Sequence, residues 1–301
     1  ITNANQVYND NSADSSISAN ALLVLDNDAP VTSVNASGTT VYGQPVQFIW
    51  GPVEQTLFAC GDLNRPDYVY YSKRGFPEAW PAVNTTPLDP HDKTINGFIY
   101  DGKSFVFGRN NLYALIPNVI EGRTWTPVLT PCGHGIVGPY AFCVGEYVWF
   151  CAEDGVYEWR GQGEAVLISN PIRPLFPYKS ADGYRVNNVY SPIDFGSGIG
   201  DNKTIRMAYH NKEVHLFYKD TAGNQQHAVY SMDTQGWRFM PTNMFNFAYS
   251  DEAPQSPLLL GRINGDVYRV VSGDIEGLAV SAQFETGGHD QKIMTPGSGF
   301  G

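Results

Sequence analysis

From about Val41 onward the chain alternates short runs of β-branched and aromatic residues with turn dipeptides, the pattern of consecutive antiparallel strands. The turns recur in the same order. Ile95–Tyr100, Ser104–Phe107, Leu112–Ile116 and Thr124–Val128 form one predicted four-stranded unit, punctuated by Asp101-Gly102 and Asn110-Asn111. Val137–Val144, Tyr147–Cys151, Val156–Trp159 and Ala165–Ser169 form a second. Ile205–Tyr209, Val214–Tyr218, His227–Met232 and Trp237–Met240 form a third, with an expanded loop around Gly223. Phe245–Tyr249, Leu258–Arg262, Val267–Val271 and Leu278–Phe284 form a fourth. A partial copy precedes them in Thr56–Ala59, Tyr68–Ser72 and Trp80.

The third predicted strand of every unit carries a tyrosine at one register: Tyr70, Tyr113, Tyr157, Tyr230 and Tyr268. Their spacing is close to the roughly 40–50 residues of a four-stranded propeller blade, except between Tyr157 and Tyr230. That gap holds Pro171, Pro174, Pro177 and the run Gly196–Gly200, and reads as an inserted loop at about 170–200 with one short helix. Trp80, Trp125 and Trp237 follow the tyrosines as outer-strand aromatics suited to covering the seam between blades. A twisted four-stranded sheet has two apolar faces and cannot bury both alone, and radial packing against neighbours solves this. The expected fold is therefore all-β, a β-propeller of four-stranded antiparallel blades, about five to seven in number, with tandem β-sandwiches as the alternative. A sixth blade is expected from the segment around Val41–Trp50 or from residues outside this sequence. Residues 1–40 read as an extended arm that needs a partner for order, 41–285 as the propeller, and 286–301 as a tail or link to a further segment.

Composition agrees with strands and turns: Gly (31) and Pro (20) punctuate a chain with 13% aromatic and only 16% charged residues, and Ala/Leu/Glu/Lys-rich stretches are missing. A net charge of -11 argues against broad electrostatic attachment to nucleic acid. It suits a conduit that repels phosphates. No run of about 18 apolar residues and no basic-then-apolar start predicts a membrane span or signal peptide. The first residue, Ile1, reads as the mark of processing or of a longer product.

Candidate chemistry is sparse. Cys60, Cys132, Cys143 and Cys151 form no C-x-x-C pair and read as buried thiols of a chain folded in a reducing cytoplasm, with a Cys143–Cys151 disulfide across a hairpin as the alternative. Of His91, His134, His210, His215, His227 and His289, only His210 and His215 come near ligand spacing, and no third ligand accompanies them. Cys132-Gly133-His134-Gly135 sets a thiol beside a base without an oxyanion device. Asp26-Asn27-Asp28 reads as a polar turn rather than a calcium loop. Gly196–Gly200 lacks the Lys-Ser/Thr of a phosphate loop and reads as linker. The glycosylation-type triplets at Asn35, Asn84 and Asn202 are expected by chance in a chain rich in Asn and Thr. Ser231–Trp237 comes near a sialidase turn once, Glu121–Trp125 keeps only its Gly and Trp, and a hairpin turn explains the first. No catalytic, cofactor-binding or metal-ligating residue is assigned, and the chain is expected not to be an enzyme. With 18 tyrosines, a carbohydrate-binding propeller for host attachment is the alternative reading.

Gly61–Ser72 (GDLNRPDYVYYS) followed by Pro77-Glu78-Ala79-Trp80-Pro81 resembles a signature of the tail-hub and nozzle proteins of short-tailed bacteriophages. Phe105–Tyr113, Gly135–Pro139 and Val148–Tyr157 resemble later stretches of that family. The likeness covers about Thr56 to Ser169 well and the rest loosely, and family members are often longer. It implies a virion structural protein, assembled in the bacterial cytoplasm and forming a ring of copies, usually six, at the tail. Its implied partners are the portal and adaptor above and the tail fibres beside it, with genomic DNA passing through without sequence-specific binding. No catalytic residue or cofactor comes with the resemblance.

Overall fold

The structure is a computed structural model. It describes residues 46–63, 65–81, 83–89, 92–118, 124–176, 191–196 and 202–240, and the strands at 33–34, 40–41, 246–249, 258–261, 266–269 and 280–281. The tail at 286–301 and most of the arm lie outside the described residues; within the arm, β1 (Ser33–Val34) pairs with β2 (Thr40–Val41). Five four-stranded antiparallel sheets follow, each made of consecutive strands. Blade 1 is β3 (Phe48–Val53), β4 (Thr56–Cys60), β5 (Tyr68–Tyr71) and β6 (Thr85–Pro87). Blade 2 is β7 (Thr94–Tyr100), β8 (Lys103–Gly108), β9 (Leu112–Asn118) and β10 (Thr124–Leu129). Blade 3 is β11 (Phe142–Val144), β12 (Val148–Ala152), β13 (Gly155–Trp159) and β14 (Val166–Leu167). Blade 4 is β15 (Arg206–His210), β16 (Glu213–Lys219), β17 (Gln225–Ser231) and β18 (Gly236–Phe239). Blade 5 is β19 (Asn246–Tyr249), β20 (Leu258–Gly261), β21 (Asp266–Arg269) and β22 (Val280–Ser281).

The architecture is an all-β propeller, and the packing of the first four blades shows why. Strand β12 is buried along its whole length, yet its residues sort by parity into two seams. Val148, Phe150 and Ala152 join the core shared with blade 2, while Trp149 and Cys151 join the core shared with blade 4. A sheet apolar on both faces is what radial stacking requires. Between blades 1 and 2, Phe58 meets Trp125 edge-on at 4.8 Å and the Trp50 indole N–H donates to Ser104 Oγ (2.9 Å). Between blades 2 and 3, Phe107 packs on Phe150 (5.1 Å) and Phe105 on Trp159 (5.1 Å). Between blades 3 and 4, Trp149 stacks on Tyr209 at 4.9 Å and the Trp237 indole donates to the Ile168 carbonyl (2.9 Å). At the inner ends, Phe48 of blade 1 touches Tyr140, which precedes blade 3, and Arg206 of blade 4 lies over the same ring (4.5 Å). Contact among blades 1, 3 and 4 at one point requires convergence on an axis, which a tandem row of sandwiches does not provide.

Tyr70, Tyr113, Tyr157, Tyr230 and Tyr268 all lie on third strands, but the shared register holds only for four: Tyr230 is the sixth residue of β17, whereas the others are second or third in theirs. Trp125 and Trp237 cover seams as expected, whereas Trp80 sits in the β5–β6 loop and packs on Ala59 and Tyr70 of its own blade. The outer strand of blade 1 is instead Thr85–Pro87. Phe48–Val53 is not part of a sixth blade; it pairs with β4 and completes the partial copy. The first strand of blade 3 begins at Phe142, not Val137. Gly138 and Pro139 leave strand geometry to meet blade 4 and blade 2, with the Val137 carbonyl accepting from Asn202 N–H (3.2 Å) and the Pro139 carbonyl from the Asn96 amide (2.8 Å). Among its described residues the inserted loop holds a 3-10 helix at Asn170–Leu175 and a bridge between Ile193 and Asp220. Among the described residues no helix is long and apolar enough to cross a membrane.

Candidate functional site

A carboxylate reaches the corner between second and third strands in each of the first three blades, from within the corner in blades 1 and 3 and from Asp92, just before β7, in blade 2. Tyr70 donates to Asp62 Oδ2 (2.7 Å) and Tyr113 to Asp92 Oδ2 (2.9 Å). Tyr157 hydrogen-bonds Asp154 in the same way. Burial, then the neighbouring carboxylate, raises the pKa of each phenol, so the three stay neutral donors. Asp92 also accepts from Asn110 N–H (2.8 Å) and the Asn111 amide (3.1 Å). Asp220 closes the corresponding corner of blade 4 by accepting from the backbone of Ala222 and Asn224 and from Gln226. These acids hold corners. Asp92→Ala would leave three donors without their acceptor and is expected to cost about 2–3 kcal/mol, read by urea unfolding. Tyr113→Phe, which removes one bond, is expected to cost about half as much.

The stretch that resembles the phage family builds one such corner. Ser72 Oγ accepts from Leu57 N–H (2.9 Å), the Arg65 guanidinium lies over Tyr68 (5.2 Å), and the Pro66 carbonyl accepts from both Thr94 N–H (2.7 Å) and its hydroxyl (2.8 Å). The Arg-Pro segment therefore ties blade 1 to the first strand of blade 2.

None of the described residues flagged for chemistry assembles into a reactive group. Burial raises the Cys132 and Cys60 thiols to about 12 and pushes Cys143 and Cys151 up as well, so none supplies a thiolate near neutral pH. All four are free; Cys143 faces Trp149 across β11–β12 and Cys151 faces Val156 across β12–β13, so the disulfide is not formed. His134 lies flat on Tyr157 (ring centroids 4.0 Å) rather than over Cys132. His210 and His215 lie on adjacent strands, and among the described residues no group of three His, Cys, Asp or Glu side chains is placed to hold a metal ion. His91, His289, Asp26-Asn27-Asp28, Asn35 and residues 197–200 lie outside the described residues. Asn202 is buried, with its Oδ1 accepting from Thr204 N–H and Oγ1 and from Ile205 N–H.

Three features escaped the sequence. His215 and His227 form a buried pair, Nδ1 to Nε2 3.0 Å. A polar notch of about 190 Å³ opens between blades 2 and 3, lined by Arg109, Asn110, His134, Glu153 and Asp154. On the outer rim of the same seam lies an apolar groove of about 410 Å³, floored by Phe105, Ala114, Trp125 and Trp159 and bordered by Ile116 and Pro131. Both openings are made by residues from separate blades, so only the seam reveals them.

No family model matches the chain, and no curated protein matches it in sequence. Solved structures with similar coordinates include the extracellular domain of a putative one-component system from Bacteroides thetaiotaomicron (TM-score 0.41, 11% identity, 74% of this chain and 26% of that one). A second Bacteroides thetaiotaomicron protein, of unknown function, is similar over 74% of this chain and 55% of its own (TM-score 0.38, 12% identity). BBS1N in complex with ARL6DN is similar over 78% of this chain and 68% of its own (TM-score 0.42, 12% identity). The chain thus spans about a quarter and about half the length of the two Bacteroides structures.

Proposed function

We propose that this chain is a structural component of a phage tail, a propeller that assembles with copies of itself into a hub or nozzle ring. The ring docks to the portal and adaptor and lines or closes the DNA exit channel. One observation carries the reading: the corner carboxylates, the thiols and the buried imidazoles of the described blades are spent on holding the sheets. The family-like Arg-Pro segment serves that purpose too. The acidic balance of the chain suits a surface past which DNA slides without being gripped. Native mass spectrometry and electron microscopy of the purified protein test it. A ring of about six copies with a lumen that admits duplex DNA is expected, and a monomer at all concentrations would overturn it.

A carbohydrate-binding propeller is the second reading, favoured by the polar notch. There His134 presents a ring face beside Arg109, Asn110 and Glu153, groups suited to sugar hydroxyls. Retention of defined glycans on an array, lost in Glu153→Gln, would support that reading over the first.

A further inference from the structure

The outer groove exists because blade 3 stops short. Strand β10 of blade 2 runs for six residues, while β14 of blade 3 has only two, so the blade 3 side of β9 and β10 is left uncovered. Ile116 and Val128 on that side are 48% and 43% exposed. Gly161-Gln162-Gly163 contributes little side chain to the rim, and the Trp159 indole N–H is turned back onto the Gly163 carbonyl (3.0 Å). The floor therefore presents aromatic and aliphatic carbon, an apolar surface open to solvent.

The sequence holds a matching segment. Ala21-Leu22-Leu23-Val24-Leu25 is a run of five apolar residues in a stretch otherwise dominated by Asn, Ser and Asp, and polar Asn20 and Asp26-Asn27-Asp28 flank it. Twenty residues separate it from Val46, and with β1 paired to β2 the two stretches on either side of that pair reach up to about 45 Å when extended. Strand β3 leads away from Gln47 to Val53 and Glu54, which border the groove. The chain thus enters its own blade 1 at the end of β3 remote from the groove, roughly 20 Å away along the strand. We propose that the groove between blades 2 and 3 seats the segment Ala21–Leu25 of a second copy of this chain, making the arm a strap between subunits. This deepens the assembly reading and rests on it.

A synthetic peptide spanning Asn20–Asp28 is the probe. The receptor is the full chain carrying Leu23→Asp and Leu25→Asp, whose own segment no longer competes. Saturable binding is expected, read by tryptophan fluorescence, because Trp125 and Trp159 line the floor. Ile116→Asp added to the receptor is expected to weaken binding at least tenfold, whereas Val83→Asp, on a remote exposed site of blade 1, leaves it unchanged; circular dichroism confirms that both stay folded. The mass of the wild-type chain, set against that of the Leu23→Asp/Leu25→Asp chain, completes the test: the doubly substituted chain is expected to fall apart into smaller species. No peptide binding, or equal binding by the Ile116→Asp receptor, overturns the seating whatever the mass. Peptide binding by a chain whose wild type is monomeric shows seating within one subunit, which overturns the strap and the assembly reading together. An unchanged oligomer in the doubly substituted chain overturns the strap but leaves the assembly reading standing.

Discussion

Gly138→Ala is expected to lower stability by about 4 kcal/mol or more, enough to leave much of the protein unfolded at physiological temperature. A β-carbon at residue 138 would fall on the carbonyl oxygen of Asn202, which is backbone and cannot swing aside. Asn202 is itself held from several directions: its N–H donates to Val137, its amide to the Asp194 carbonyl, and its Oδ1 accepts from Thr204 and Ile205. Relief would require moving the whole entry to blade 4. Gly133→Ala is the control. Gly133 has a positive φ of 80°, and a β-carbon there would meet only the Pro131 carbonyl oxygen at an ordinary 4.0 Å, so only backbone strain of about 1 kcal/mol is expected. Urea unfolding of the two variants beside the parent decides the matter; equal losses would mean that Gly138 is not a packing point between blades 3 and 4.

That junction shows what the sequence could and could not convey. Turns announced themselves, because Asp101-Gly102 and Asn211-Lys212 place successive residues at positive φ between apolar runs. The tyrosine positions of the first three blades were legible because a phenol with an apolar body and a donor tip recurs where a corner acid needs a partner. In blade 4, Asp220 is held by backbone N–H groups and Gln226 instead. Strand β3 was hidden because Gly51-Pro52 interrupts its apolar run and reads as a turn, while the ladder is in fact irregular between Trp50 and Val53. Strand β6, Thr85-Thr86-Pro87, is short and polar, and the nearby Trp80 drew the assignment instead.

The candidate surfaces were hidden for a different reason. Period-2 patterning shows that Trp149 and Phe150 face opposite ways, but not which blade each meets. Only the seam brings Ala114 and Trp159 to one groove, or Arg109 and Glu153 to one notch. The functional surfaces of a propeller are properties of neighbouring blades, and a chain whose repeats have diverged carries no sequence mark of the pairing.

The buried imidazole pair predicts an acid limb in stability that starts unusually near neutrality. His215 and His227 share one hydrogen bond, in which one ring nitrogen donates and the other accepts, so both rings are held neutral and in complementary tautomers. Burial, then Arg238, lowers His227 to about 3. Burial, then His227, His210 and Arg238, lowers His215 well below the ordinary imidazole value. Glu213 offers little relief, because Arg238 occupies both its oxygens at 2.7 Å and it stands 4.0 Å from His215 Nε2. The sign follows from proton uptake: below about pH 6.5 the unfolded chain binds protons that the folded pair refuses, so stability is full above that pH and falls as pH drops toward the folded values. Each refused proton is worth about 1.4 kcal/mol per pH unit, so His227, held at about 3, contributes about 3 kcal/mol between pH 6.5 and 4.5, and His215 adds to it in the same direction. Replacing both rings, as His215→Leu with His227→Leu, removes the buried nitrogens together and is expected to be nearly neutral at pH 7.5 while flattening this limb. Urea unfolding of parent and double variant from pH 7.5 to 4.5 measures the difference directly, and carboxylates common to both cancel. Parallel curves would show that the pair takes up its protons without cost in the folded state, and the buried, neutral arrangement would then be wrong.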